Sequence, residues 1–176
     1  MARQLIRTAI ALTLVVGAFS RADGASGLDP TFAARVLDAQ NQERAAVGVP
    51  PLRWNDSLAR DAEDWARHLT RVGTLVHSAD DPADPDPQGE NLWAGTRGYY
   101  QAEDMVALWT REKRFFKRGT FPSVSKTGSF EDVGHYTQMV WRSTRQVGCA
   151  MAHGASDDFM VCRYAEGGNV YGEKPF

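Results

Sequence analysis

The chain has 176 residues, of which 43% are apolar, and a formal charge of −2. That suits a single domain with a sizeable core. Basic residues are dispersed among acidic ones, with no run of the kind a nucleic-acid-binding surface needs, so that class is excluded. The motifs of dinucleotide, P-loop, zinc-protease and serine-hydrolase sites are absent as well.

The chain opens like a signal peptide, residues 1–22. Arg3 and Arg7 precede the apolar run Ala9 to Phe19, and Ser20-Arg21-Ala22 offers small residues for cleavage. The run is too short to span a bilayer, and no second long apolar run follows. The mature protein is therefore expected to be exported, secreted or periplasmic, without a transmembrane anchor. A first helix is predicted from Asp29-Pro30 to about Val47, with Phe32, Val36, Leu37 and Gln40 on one side and Gly48 as its stop. "VPPLRW" reads as an extended connector. Asn55 or Asp56 caps a second helix that carries Leu58, Ala62, Trp65, Ala66 and Leu69 and ends at Gly73. Residues 78–89 form an aspartate- and proline-rich loop, read as solvated because its spacing does not match an EF-hand.

A third helix is predicted from about Gln101 to Lys117, with Ala102, Val106, Trp109, Lys113 and Phe116 along one stripe. Glu112 falls three residues after Trp109, on nearly the same face, where packing alone does not call for a carboxylate. A loop follows, then a short helix beginning near Asp132. Two alternating stretches, Val147-Cys149-Met151 and Met160-Cys162-Tyr164, flank the turn-like "HGASDD" and predict a hairpin. In an exported chain its two cysteines allow one disulfide, Cys149–Cys162. The glycine-rich C-terminus reads as coil pinned by its aromatics. Helices first and a hairpin late give the class α+β.

Four histidines invite a chemical reading. His68 follows Arg67 on a helix face expected to meet solvent, and His153 falls in the hairpin turn. His77 and His135 stand at the edges of apolar segments, and Glu90 lies between a polar loop and an apolar run. Taken singly, an imidazole beside an apolar face is more often a satisfied core residue, and a helical glutamate more often solvated. Spacing alone does not bring His77, Glu90, Glu112 and His135 together. Trp93, Tyr99, Tyr100 and Phe121 lie in or beside predicted loops, where aromatics serve binding or close the core beneath.

"GHYTQMVW" (134–141), "CRYAEGGNVYGEKPF" (162–176), "GENLWAG" (89–95) and the opening "NQERAAVGVPPLRWNDSLARDAEDWA" together resemble the CAP superfamily of cysteine-rich secretory, antigen 5 and pathogenesis-related class 1 proteins. The resemblance runs from about Thr31 to Phe176 as a single domain. It implies a three-layer α-β-α sandwich with a small antiparallel sheet, and a cleft of two histidines and two glutamates that falls on His77, Glu90, Glu112 and His135. It also implies a sterol, lipid or extracellular protein ligand. Two imidazoles backed by carboxylates suit weak zinc binding, with His77 and His135 as ligands. A metal-assisted protease or esterase is the alternative, and no catalytic residue is assigned. A monomer is expected. The chain departs from the family's second signature at Arg163, where asparagine is usual, and at Glu166, in place of proline; both are expected to alter only the local loop.

Overall fold

The computed structural model describes residues 30–79, 83 and 87–176. The predicted signal peptide and half of the aspartate-rich loop lie outside the described residues. Helix α1 spans Pro30–Val47, and the chain turns off it at Gly48, whose φ of +73° lies in the left-handed region that glycine adopts without strain. Helix α2 spans Asp56–Val72. Asn55 is its cap, the side chain accepting from the Ser57 and Leu58 amides at 2.8 and 3.2 Å. Helix α3 is shorter than predicted, Ala102–Thr110, and passes into a 3₁₀ turn over Arg111–Arg114. The stripe read through Lys113 is thereby corrected: that side chain is exposed and pairs with Glu43 on α1. Another 3₁₀ turn, Phe130–Asp132, leads into α4, Gly134–Met139.

Four strands form one sheet: β1 Arg53–Trp54, β2 Gly89–Thr96, β3 Gln146–His153 and β4 Asp157–Ala165, in the order β1-β3-β4-β2. The β3–β4 hairpin is central and antiparallel, and β2 pairs antiparallel to β4. The short β1, inside the predicted connector, runs parallel to β3, so the sheet is mixed at that edge rather than wholly antiparallel.

The pleat sorts side chains into two layers. Val147, Cys149, Met160, Cys162, Tyr164 and Trp93 face α1, α3 and α4, packing with Val36, Val106, Trp109 and Met139. Leu92, Ala150, Phe159 and Val161 face α2, meeting Ala62, Ala66 and Leu69. Both faces are filled, which makes a helix–sheet–helix sandwich. At Gly148 an added Cβ would lie 2.2 Å from the Ala59 amide nitrogen, so α2 lies directly on the β3 backbone there. Cys149 and Cys162 are register partners, joined as a disulfide in the core.

Trp93 and Phe121 turn out to be core residues, while Tyr99 is 73% exposed and packs edge-on against the half-buried Tyr100. His68, partly exposed, stacks on Trp65 with ring centroids 4.4 Å apart. The C-terminal coil is pinned by backbone as much as by aromatics. Phe176 stacks on Phe116, while the Phe121 and Arg142 amides donate to the Glu173 and Pro175 carbonyls at 2.7 Å each.

Candidate functional site

Each sequence-predicted histidine meets a predicted glutamate. His77, just past α2, places Nδ1 2.6 Å from Glu90 Oε1 at the start of β2. His135, in the first turn of α4, places Nδ1 2.6 Å from Glu112 Oε1 in the 3₁₀ turn after α3. An ionised carboxylate only accepts, so Nδ1 carries the proton in both pairs and the lone pair falls on Nε2.

Neighbouring backbone fixes the carboxylates. The Ser78 amide donates to Glu90 Oε1 at 3.1 Å, and the Tyr136 amide donates to Glu112 Oε2 at 3.0 Å. Glu112 therefore turns inward, as its place after Trp109 suggests, although a 3₁₀ turn and not an α-helix carries it there. The His135 ring also stacks on Trp109, nearly parallel at a centroid distance of 5.8 Å, and Trp109 is anchored by its indole N–H donating to the Leu92 carbonyl.

Strand β2 lies between the pairs. Glu90 and Asn91 are consecutive and therefore point to opposite faces. Glu90 is cross-strand from Arg163 on the α2 side, whereas buried Asn91 donates to the His135 carbonyl at 3.0 Å and to the Tyr164 hydroxyl at 3.2 Å. Tyr164 in turn donates to Gln40 Oε1 at 2.9 Å, and Gln40 Nε2 lies 3.8 Å from each disulfide sulfur. A continuous buried polar chain thus runs from the disulfide to the backbone of His135. Asn91 was missed in the sequence, and its signal was an amide alternating with Glu90 in an otherwise apolar segment. Gln40 was visible as a polar residue on an apolar stripe.

His77 and Glu90 line a cavity of about 610 Å³ together with Asp61, Gln88, Gln138 and Arg163. Arg163 Nη2 lies 2.8 Å from Glu90 Oε2, but out of line for a hydrogen bond, so charge rather than direction holds the pair. The departure at Arg163 is therefore not confined to a loop: it is a strand residue beside a predicted site carboxylate. Burial raises the Glu90 pKa, but the His77 hydrogen bond, the Arg163 charge and the Ser78 amide together outweigh it and hold the carboxyl below its usual value.

A depressed carboxyl pKa contributes stability above its unfolded value, and that contribution is lost as pH falls through the folded pKa. Glu90→Gln should therefore be less stable than the natural chain at pH 7 by about 1–3 kcal/mol, the range for charge-assisted hydrogen bonds. The gap should narrow as pH falls below the ordinary glutamate value of about 4.3 and through the lower pKa of the folded state, where the natural carboxyl takes up its proton. Urea midpoints at pH 7 and pH 3 check this, and a gap that persists in acid would refute it.

Both imidazoles are oriented as metal ligands usually are, with Nδ1 on a carboxylate. Among the described residues, however, no three histidine, cysteine, aspartate or glutamate side chains form a group that could hold a metal ion by themselves. His153 supplies a third pair that the sequence reading set aside: its Nδ1 lies 2.6 Å from the buried Asp158, which also accepts from the Gly98 amide.

The sheet between two helical layers is the architecture that the family resemblance implies. The chain belongs to the CAP family: residues 37–164 match the family model described as the cysteine-rich secretory protein family. Pathogenesis-related protein PR-1 of Medicago truncatula is 38% identical over 149 residues, covering 83% of this chain and 80% of that protein. Pathogenesis-related protein 1C of Nicotiana tabacum is 36% identical over 141 residues, covering 80% and 78%. The crystal structure of NaASP2 with Zn²⁺ superposes with a TM-score of 0.71 at 21% identity, over 87% of this chain and 88% of that one. The structure of BmVAL-1 gives 0.70 at 20% identity, over 85% and 84%. Membership in a family of secretory proteins and the oxidised cysteine pair agree on an extracellular setting. No helix among the described residues is long and apolar enough to cross a membrane.

Proposed function

We propose that the chain is an exported CAP-domain binding protein whose two His–Glu pairs take a divalent cation, zinc as the leading candidate, and which engages an extracellular lipid or protein ligand. The observation that carries the metal reading is the repeated pair, with each imidazole Nδ1 held 2.6 Å from a carboxylate. This arrangement fixes the tautomer and raises the basicity of a metal-ligating histidine. His77 and His135 would supply the nitrogen donors, and Glu90 and Glu112 would hold them in place. When bound, the ion would supply charge and Lewis acidity to the cleft. With two protein donors the binding is expected to be weak, and to weaken further in acid because a protonated imidazole has no lone pair for a metal. The crystal structure of the related NaASP2 with Zn²⁺ gives the choice of zinc its motive.

Titration calorimetry with zinc on the natural chain and on His77→Ala/His135→Ala tests the reading. Binding to the natural chain that vanishes in the double variant is expected. Equal affinity in both proteins would move the metal elsewhere. The alternative, a metal-assisted protease or esterase, draws on the same residues, with a glutamate as base. A peptide and ester panel run on both proteins separates the two: turnover that disappears in the double variant would establish the hydrolase instead.

A further inference from the structure

We propose that Arg163 sets how strongly the His77–Glu90 half of the site takes a divalent cation, by standing as a resident counter-ion to Glu90. The inference rests on the metal reading above and deepens it. Strand register places Arg163 opposite Glu90, and both side chains are largely withdrawn from water, at 13% and 7% exposure. On the other flank of Arg163 the register partner is Gly148, over which the backbone of α2 is packed. The guanidinium reaches instead along the sheet to the β2 edge, where it meets Glu90 and lines the same cavity as His77.

Arginine stays protonated across the working pH range, so the guanidinium is a permanent positive charge. A divalent ion entering beside His77 meets a carboxylate that is already neutralised, together with direct repulsion from the guanidinium. The contact to Glu90 lacks hydrogen-bond alignment. Its contribution is therefore the charge itself, which any uncharged side chain removes. Asparagine at this position, as in the signature the chain otherwise resembles, would leave Glu90 free to offset the charge of an ion.

The experiment is zinc titration calorimetry at pH 7.5 on the natural chain, R163N, R163Q and R163K, with near-UV circular dichroism confirming the fold of each. Arg163→Gln removes the charge while keeping a polar side chain at the position. The two uncharged variants are expected to bind zinc at least about tenfold more tightly than the natural chain, from Coulomb's law at the effective dielectric of a protein site. Arg163→Lys, which keeps the charge, should stay within about threefold of the natural chain. Adding Glu90→Gln to Arg163→Gln should cancel the gain.

Binding by the natural chain with no gain in either uncharged variant would overturn the inference and leave the metal reading intact. Binding by the uncharged variants alone would support the inference and remove the metal reading from the natural chain. No binding by any of these proteins would overturn both.

Discussion

Replacing Arg44 by alanine should cost about 3–5 kcal/mol of folding free energy, a large part of the 5–15 kcal/mol typical of a domain. Arg44 lies on α1 and is completely buried. Its guanidinium donates to four carbonyls: Pro50 at 2.7 Å, Met139 at 2.8 Å, and Trp141 and Thr144 at 2.9 Å each. Burial is the main cause that pushes its pKa down to about 10, which leaves it charged at neutral pH. Met139 ends α4, and Arg44 donates to its carbonyl and to those of Trp141 and Thr144 beyond it, so the arginine satisfies the end of the helix whose first turn carries His135. Alanine takes the side-chain donor from the Pro50, Met139 and Trp141 carbonyls, leaves Thr144 the 3.4 Å contact from Arg145, and opens a cavity. Lysine restores the charge but cannot present a planar fork, so R44K should recover only part of the loss. Urea unfolding measures both, and a loss below about 1 kcal/mol for R44A would show that the carbonyls find other partners.

Converting both cysteines to alanine should cost about 3 kcal/mol in the chain-entropy account of a short closed loop. The bridge spans a sequence separation of 13 and joins directly opposed residues of β3 and β4. Part of the cost falls on Gln40, whose Nε2 contacts both sulfurs and whose Oε1 accepts from Tyr164. The variant should still fold at 25 °C, because most of the core around Val147, Met160 and Tyr164 is unchanged. A thermal midpoint equal to that of the natural chain would overturn this expectation. A matching loss of midpoint in Gln40→Ala, with the bridge intact, would assign more of the effect to the buried amide.

Helix ends were legible where a single residue enforces them. Gly48 and Gly73 adopt positive φ at the stops predicted for α1 and α2, and Asn55 caps α2. The hairpin was legible because its two-residue alternation is intact and because its cysteines meet in register. The end of α3 was not, since Phe116 continues the apolar period after the backbone has tightened. The Phe115 amide donates to the Glu112 carbonyl, three residues back. Strand β2 was hidden by two glycines and by apolar residues on both of its faces, which blur alternation. For the site, the resemblance named the four side chains, and the structure assembles them as two pairs. Arg44 was invisible because a helical arginine ordinarily reads as solvent-facing. Arg163 was read as a change in a loop, because a one-residue departure from a motif says nothing about which strand lies beside it.

The strand order bears on how the protein is made. Both edge strands come early in the chain, yet β1 pairs only with β3 and β2 only with β4. Until residues 146–165 have emerged from the ribosome, neither edge has a partner and the apolar faces of α1 and α2 have no sheet to cover. Vectorial synthesis therefore delivers the central hairpin late. The sheet cannot close until the final fifth of the chain is available. Closure of the hairpin then completes the sheet and brings the two cysteines opposite one another.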